Sequence, residues 1–413
     1  MTSRVLLRRA LLADGTVVDV RIVDDSITAV GADLAPVTDP AVDPVLDSRA
    51  VAEQVIDLNG WLLLPAFTEP HAHLDKAFLA EVVPNPTGDL LGAIGAMESS
   101  RHLITLDDTI GRAERAARLM LANGVTTIRT HADVTLANGL QSVLALTEVR
   151  ERMCGVVDVQ VCALTGWPSV GQDGADQRAL LRDAIDADVD LIGGCPHLES
   201  DAAAANDNFL TMAAEAGLPI DLHTDETLNP GMLALEDLAQ RVIDTGFPHG
   251  VTASHCISLG LQSEDRQRQV ADQVADAGIS VIALPHTNLF LQGRQHQSSM
   301  PRSVTAVRAL RQAGVAVAAG ADNLQDPFNP VGRADPLETA GLMIMAAHLL
   351  PDEALATVTA AARVACGLAP GGIEPGARAD LVAMPAHSVR EAIAMGPQPR
   401  FVISGGLVVR GMP

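Results

Sequence analysis

The amino-acid sequence predicts an α/β protein, a (β/α)8 barrel of the TIM type with a small β-sandwich domain formed by both termini. Between about residues 63 and 366, short apolar segments alternate with alanine-rich segments of helical pattern, which is typical of βα units around a parallel sheet. About eight such apolar segments occur, the number that closes a barrel. The two ends of the chain instead contain short β segments separated by turn signals.

The β segments at both ends set the expected domain limits. Near the start, Val17–Val23 and Ser26–Val30 have the composition of strands, and the tail over Arg400–Arg410 has the same pattern. Because these segments flank a different middle, we expect one small β domain built from both ends. The expected β-sandwich domain covers residues 1–64 and 375–413, and the expected barrel covers 65–374.

Barrel active sites lie where the strands end, so the predicted strand ends are the places to search for chemistry. The predicted strands end near His71, Asp133, Leu164, His197, His223, His255, His286 and Asp322. The interval between the first two of these ends is longer than the others and contains Pro84 and Pro86. We therefore expect residues 79–103 to form an extended loop over the barrel mouth.

The composition narrows the function classes. With 413 residues and 48% hydrophobic content, the chain is long enough for a large buried core. A net charge of −23 disfavours nucleic acid, so the expected partner is a small molecule, and homo-oligomer formation stays open. No apolar run approaches about 20 residues and no leader pattern opens the chain, so we expect a soluble cytoplasmic protein without membrane contact. Five cysteines without a C-x-x-C pairing indicate free thiols rather than structural zinc or disulfides.

The most informative motif is His71-Ala-His73, at the end of a short apolar run. Side chains at i and i+2 of a strand point to the same side. Two imidazoles at this spacing can bind one metal ion, and neutral imidazole suits zinc or ferrous iron. The motif alone is weak evidence, because two nearby histidines on an exposed strand commonly have no function.

Other polar residues occur where the predicted strands end. They are His131 and Asp133, His197 and Glu199, His223 to Glu226, His255, His286, and Asp322. A single histidine at a strand end is most simply a hydrogen-bonded structural residue. Six such coincidences at one face of a barrel indicate a shared site. The roles of His131, His197 and His286 stay open between lining that site and a purely structural one.

Several longer motifs resemble the amidohydrolase superfamily, and in particular its bacterial cytosine deaminases and related amino-heterocycle hydrolases. The motifs are Glu69–Asp75, Arg129–Val134, Asp221–Glu226, Asn288–Arg294 and Asp326–Pro330. The resemblance runs from about residue 62 to the C-terminus. The combined motifs are highly specific for the family and less specific for the substrate.

The resemblance implies a mononuclear metal site and assigns its residues. The ligands of one divalent ion, zinc or iron, would be His71, His73, His223 and Asp322. His255 would hydrogen-bond a metal-bound water, Asp322 would accept a proton from it, and Glu226 would carry a proton to a ring nitrogen of the substrate. The alternatives are a helix-start carboxylate for Glu226 and a structural hydrogen bond for His255.

The single lysine, Lys76, follows the metal motif. Many members of the superfamily use two metals bridged by a lysine of the fourth strand, and the absence of any lysine near His197 excludes that arrangement. We expect Lys76 to pair with Asp75 or with a barrel carboxylate. The alternative is a side chain that faces the pocket.

Four positions depart from the cytosine deaminase pattern and bear on the substrate. The glutamine that recognises the pyrimidine amide edge has no counterpart, because the third strand ends in Gly166 and Trp167. Asn323 replaces the aspartate after the metal ligand, and Phe328 replaces the pocket tryptophan. These changes predict an altered specificity. The predicted substrate-binding residues are Gly166, Trp167, His197, Asn323 and Phe328.

Three functions agree with these patterns. The first is a metal-dependent amidohydrolase or deaminase that hydrolyses a C–N bond in a cyclic amidine, such as a cytosine-like amino-heterocycle, and releases ammonia or an amine. The second is a hydrolase that opens a cyclic amide at the same mononuclear site. The third, a non-catalytic binding barrel, is disfavoured because all four expected ligands are present.

Overall fold

The computed structural model describes residues 3–37 and 53–411, which form two sheets and a set of helices. The strands before the barrel are β1 (Arg4–Leu11), β2 (Val17–Val23), β3 (Ser26–Gly31), β4 (Gln54–Asp57) and β5 (Leu62–Pro65). The barrel strands are β6 (Phe67–Ala72), β7 (Val125–Val134), β8 (Asp158–Thr165), β9 (Leu191–Gly194), β10 (Ile220–Thr224), β11 (Val251–His255), β12 (Ser280–Ala283) and β13 (Val317–Ala319). The strands after the barrel are β14 (Leu381–Met384), β15 (Phe401–Ser404) and β16 (Leu407–Arg410).

Helices occupy most of the intervals between the barrel strands. The helices are α1 (Leu90–Ser100), α2 (Leu106–Ala122), α3 (Gln141–Met153), α4 (Ala175–Asp186), α5 (Ala202–Ala216), α6 (Ala234–Thr245), α7 (Glu264–Asp276), α8 (Pro285–Leu291), α9 (Val307–Gln312), α10 (Pro336–Ala347), α11 (Pro351–Thr357), α12 (Ala360–Ala365) and α13 (Val389–Met395). Short 3-10 segments cover Arg101–Leu103, Pro196–Leu198 and Ile257–Leu261. Within the described ranges, no helix combines the length and the apolar character needed to cross a membrane.

Strands β6 to β13, all within the described stretch 53–411, form one parallel sheet in which each strand pairs with the next. The sheet closes beyond the ends of β6 and β13. There the amide of Asp322 donates to the His71 carbonyl at 3.0 Å, and the amide of His73 donates to the Asp322 carbonyl at 3.2 Å. β7 is buried along almost its whole length, as expected for a strand covered on both faces. The predicted barrel is confirmed.

The second sheet joins both ends of the chain. Its order is β16-β15-β14-β5-β1-β2-β3, with β4 paired to β1. β5 and β14 pair antiparallel, and only Ala66 separates β5 from the first barrel strand. The expected β domain from both termini is therefore present, whereas its limits at residues 64 and 375 stay a prediction.

The helices begin and end where local chemistry favours it. Thr105 caps α2 by accepting a hydrogen bond from the amide of Asp108, and α5 ends at Gly217, which has a φ of 71°. In α2, buried side chains such as Ala113 and Ala117 recur at helical spacing. One face of the helix therefore packs on the barrel.

The strands end earlier than predicted at three positions. β9, β12 and β13 each end three residues before the expected residue, which is His197, His286 and Asp322 respectively. Both histidines lie instead on short helices that begin with a proline, Pro196 or Pro285. Proline has no N–H for the sheet and a φ near −65°, so it ends the strand and suits the first position of a helix.

The expectation of an extended loop over residues 79–103 is wrong for its second half. α1 occupies Leu90–Ser100, and a 3-10 turn follows. Asp89 starts the helix, because its side chain accepts from the amide of Gly92 at 2.7 Å. Glycines within α1 weaken its sequence signal, since glycine disfavours helix.

A buried ion pair ties the terminal sheet to the barrel helices. Arg400, just before β15, is fully buried, and its guanidinium donates to both carboxylate oxygens of Asp335 at 2.8 Å. Asp335 caps α10, and Arg400 also donates to the carbonyl of Asn123, at the end of α2, at 2.6 Å. The contact holds three elements together.

Replacement of this arginine, Arg400→Met, should lower the free energy of unfolding by about 3–5 kcal/mol, because the carboxylate of Asp335 loses its partner. Urea denaturation measures the difference from wild type. Arg308→Met, at an exposed position of α9, is the matched control and should change the value by less than about 0.5 kcal/mol. An equal loss in both variants would contradict the role of the ion pair.

Candidate active site

A cavity of about 530 Å³ opens at the face of the barrel where the strands end. Its size is that of a small-molecule site, and its position is that of barrel active sites. The polar side chains of its wall include His73, His223, Glu226, His255 and Asp322. α1 contributes the apolar side chains Leu90, Ile94 and Met97. The segment that was expected to cover the barrel mouth therefore does so as a helix.

The four expected metal ligands converge beside this cavity. The Nε2 atoms of His71 and His73 lie 3.2 and 3.1 Å from Nε2 of His223. The Oδ1 atom of Asp322 lies 3.6 Å from Nε2 of His71 and 3.2 Å from Nε2 of His73. All four residues are buried. Three ring nitrogens and one carboxylate oxygen thus meet around one small space.

A chain of hydrogen bonds orients His71. Its Nδ1 lies 2.9 Å from Oγ of Ser254, which donates to one oxygen of Asp221 at 2.8 Å. Arg129 donates to the other oxygen of Asp221 at 2.9 Å. Because the hydroxyl proton goes to the carboxylate, His71 donates from Nδ1. Its Nε2 then carries the lone pair that faces the other ligands.

The electrostatics of these side chains fit a divalent cation. Burial, followed by the neighbouring rings, lowers the pKa of His71 and His223 well below its usual value, so both are neutral. Burial alone would raise the pKa of Asp322, but the His73 and His255 rings bring it below its usual value, so the carboxylate is charged. Among the described residues, none donates a hydrogen bond to either oxygen of Asp322. A buried carboxylate without donors, next to neutral imidazoles, is a donor set that divalent metals prefer.

His255 and Glu226 lie beside the ligand set. His255 ends β11, and its Nδ1 donates to Oδ1 of Asn288 at 3.0 Å, so its Nε2 carries a lone pair. Oε1 of Glu226 lies 3.7 Å from Nδ1 of His255. Burial, reinforced by the charge of Asp322, raises the pKa of Glu226 well above its usual value. A carboxyl group with a raised pKa is suited to act as a proton donor.

The backbone at His255 and Asp322 is in the left-handed region. Their φ angles are 69° and 63°. This region costs a residue with a side chain roughly 1–2 kcal/mol and persists at sites where the surroundings enforce it. At Asp322 the backbone hydrogen bonds to His71 and His73 supply that enforcement.

Glu69 holds the first and last barrel strands together, a role that the sequence pattern did not reveal. Its carboxyl group accepts from the amide of Ala321 at 3.0 and 3.1 Å and from the amide of His71 at 3.1 Å. Gly320 is needed for this approach, because a Cβ there would lie 2.6 Å from Oε1 of Glu69. Burial raises the pKa of Glu69 to about 8. The sequence signal that could have indicated this role is a carboxyl residue two positions before His71, the first expected ligand.

Lys76 is buried in an ion pair and also faces the cavity. Its Nζ lies 2.6 Å from Oδ1 of Asp133 and 3.5 Å from Oδ1 of Asp75. Burial lowers the pKa of Lys76, but the charges of Asp133 and Asp75 raise it above its usual value. Nζ also lies 3.1 Å from Nδ1 of His73, and the residue lines the cavity. Lys76 therefore forms the expected ion pair and also faces the pocket, which the sequence analysis gave as alternatives.

Of the five predicted substrate-binding residues, all in the described part of the chain, four line the cavity. They are Gly166, Trp167, Asn323 and Phe328. The side-chain amide of Asn323 is already bound, since it donates to Oδ2 of Asp326 at 2.8 Å. His197 is not in the cavity wall, and its Nδ1 donates to the carbonyl of His223 at 3.0 Å. We therefore interpret His197 as a residue that positions His223, one of the expected ligands.

His131 and His286 also lie outside the described cavity wall. The His131 ring packs on that of His71 with 4.1 Å between ring centroids. Nε2 of His286 lies 3.1 Å from Oγ1 of Thr339. The contacts described for these two histidines are with other side chains of the protein, so their role stays a prediction.

The fold and this site define a (β/α)8 barrel hydrolase with a histidine and aspartate centre of the kind that holds a divalent metal. The chain belongs to the Amidohydrolase family, whose sequence profile matches residues 87–410. The matched range contains His223, Glu226, His255 and Asp322 and begins after the His71-x-His73 motif.

Known proteins are similar to nearly the whole chain. Pterin deaminase from Rhizobium rhizogenes is 35% identical over 366 residues, which are 86% of this chain and 83% of that protein. The crystal structure of N-isopropylammelide isopropylaminohydrolase from Burkholderia multivorans has a TM-score of 0.83 at 30% identity and covers 98% of each chain. That of 5-methylcytosine deaminase from Klebsiella pneumoniae with 5-fluorocytosine has a TM-score of 0.85 at 27% identity and covers 98% of this chain and 97% of that chain. The predicted superfamily and the predicted enzyme class, a hydrolase of C–N bonds in heterocycles, are confirmed.

Ser254→Ala should weaken metal binding about 10–100-fold, because Nδ1 of His71 loses its partner and the ring is no longer held in one tautomer. Titration of the metal-free protein with Co²⁺, followed by visible absorption, measures the affinity. Ser388→Ala, which removes the cap of α13 outside the cavity, is the control and should bind like wild type. Equal affinities of wild type and Ser254→Ala would rule out the orienting role.

Proposed function

We propose that this protein is a metal-dependent deaminase that hydrolyses a C–N bond in an amino-heterocycle and releases ammonia. His71, His73, His223 and Asp322 would hold one divalent ion, zinc or iron. Similarity to proteins named pterin deaminase and 5-methylcytosine deaminase supports this reaction. The observation that carries the proposal is the position of the Glu226 carboxyl group, which is buried in the cavity wall 3.7 Å from Nδ1 of His255, where burial raises its pKa well above its usual value.

Each step after metal binding has a side chain that can perform it. A divalent ion held by these residues would lower the pKa of a water molecule toward neutrality. Nε2 of His255 would accept a hydrogen bond from that water, and the carboxylate of Asp322 would accept its proton. Glu226 donates a proton to a ring nitrogen of the amidine, which makes the adjacent carbon electrophilic. The water oxygen then adds to this carbon, and Asp322 passes the proton that it accepted to the exocyclic nitrogen. The bond to that nitrogen breaks, ammonia leaves, and the remaining hydroxyl proton returns to Glu226, which gives the carbonyl of the product.

We infer a substrate with two fused rings rather than a single pyrimidine. The cavity of about 530 Å³ lies well within the range of small-molecule sites. Ile94 and Met97 from α1, together with Phe328, give its wall apolar surfaces that suit the faces of a flat ring system. The 35% identity to a pterin deaminase supports a pterin-type aminopyrimidinone.

A screen of amino-heterocycles for ammonia release tests this function. The panel contains pterin, cytosine, isocytosine and creatinine, each incubated with zinc-loaded and with iron-loaded protein. We expect ammonia release with the ring intact, fastest for pterin, and loss of both turnover and most metal binding in Asp322→Ala. A ring-opened acid as product would favour the cyclic-amide hydrolase. Absence of turnover together with bound metal below about 0.2 equivalents would favour the binding barrel.

Glu226→Gln should keep the metal and lower kcat about 10²–10⁴-fold, because the amide cannot protonate the ring nitrogen. Steady-state kinetics and metal analysis of the same preparation check both halves of the expectation. Glu215→Gln, at an exposed position of α5, is the matched control and should retain the wild-type rate. Wild-type activity in Glu226→Gln would refute the proton-donor role.

A further inference from the structure

Gln177 places a polar group in the cavity wall that the proposed reaction does not use. It lies in the first turn of α4 and lines the cavity, as does Gly166. The residue is only 3% exposed, so its amide is largely removed from bulk solvent. Amide groups in such surroundings are normally hydrogen-bonded at both ends.

The nitrogen end of this amide is bound to the protein. Nε2 of Gln177 donates to the carbonyl of Val134, at the end of β7, at 2.6 Å. The same carbonyl accepts from the amide of Gly166 at 2.9 Å. The reverse orientation of the side chain would bring two oxygens together, so the amide is held in this orientation. Oε1 is therefore the group left for the cavity.

Among residues 3–37 and 53–411, the one side-chain hydrogen bond of Gln177 is that of Nε2, and Oε1 accepts none. Glycine at position 166 keeps the space next to it open. A Cβ there would lie 3.3 Å from Oε1 of Gln177 and 3.0 Å from Cγ2 of Thr135, so a larger side chain would crowd both. The cavity can thus present a ligand atom to Oε1.

We propose that Oε1 of Gln177 accepts a hydrogen bond from a ring N–H of the substrate and so determines specificity. The inference deepens the proposed function and rests on it. Because one N–H of Nε2 donates to Val134 and fixes the orientation of the amide, the acceptor Oε1 is the end of Gln177 without a partner in the protein. A ring N-methyl group or a carbonyl at the same place leaves Oε1 buried without a donor, which lowers affinity.

Two pairs of compounds test this recognition in the wild-type protein: pterin and 3-methylpterin, and isocytosine and its N3-methyl derivative. Dissociation constants are measured by isothermal titration calorimetry alongside ammonia release, so recognition is tested separately from turnover. We expect the N–H member of at least one pair to bind about 100-fold more tightly. Equal binding of both members of each pair overturns the inference, and this comparison needs no variant to fold.

Gln177→Leu and Gln177→Met remove the acceptor at similar volume. Both should weaken binding of the preferred N–H compound about 100-fold and change binding of its N-methyl counterpart by less than about threefold. Gln172→Leu, at an exposed position just before α4, is the control and should keep the wild-type preference. A role confined to holding Val134 predicts a lower melting temperature with an unchanged preference, and that result would overturn the inference.

The same measurements separate this inference from the proposed function. Preferential binding of the N–H compound without any ammonia release means that the deaminase proposal fails and the recognition role stands. Ammonia release at equal kcat/KM from both members of each pair means that the deaminase proposal stands and the role of Gln177 is overturned.

Discussion

Closure of the barrel and assembly of the candidate metal site depend on the same backbone contact between the first and last barrel strands. The amide of Asp322 donates to the carbonyl of His71, and the amide of His73 donates to the carbonyl of Asp322. These three residues are also three of the four proposed ligands. The barrel cannot close without bringing their side chains together. The geometry of the site is therefore part of the fold rather than an addition to it.

Several features around this backbone contact destabilise the folded state, and neighbouring interactions offset that cost. Buried rings, a buried carboxylate and a left-handed backbone at Asp322 all disfavour the folded state. Glu69 binds the amides on both sides of the contact, and the chain from Ser254 through Asp221 to Arg129 ends in a buried ion pair. Such a pair is costly to break, so it holds its neighbours in one arrangement. Glu69 and the chain from Ser254 to Arg129 thus favour a single arrangement of the proposed ligands.

Sequence patterns could predict the features that depend on long-range periodicity. Alternating apolar and helical segments indicated the barrel, and a His-x-His pair with His223 and Asp322 at later strand ends indicated the side chains that the structure brings together. Features set by local chemistry were harder to predict. A proline after the strand moved His197 and His286 onto short helices, and a single capping side chain, that of Asp89, was enough to start α1 across glycines.

The residues proposed for the reaction and those proposed for substrate recognition lie on different secondary-structure elements of this barrel. The proposed ligands and Glu226 lie at the ends of barrel strands or within three residues after them, whereas the cavity wall also includes residues of α1 and of the start of α4. The glutamine of the cytosine deaminase pattern after the third barrel strand has no counterpart, because this chain has Gly166 there. Gln177, eleven residues later, brings an amide oxygen beside that position. Segments between strands can exchange side chains without disturbing the sheet. A change of hydrogen-bonding group in the wall segments can therefore alter the substrate without moving the residues at the strand ends.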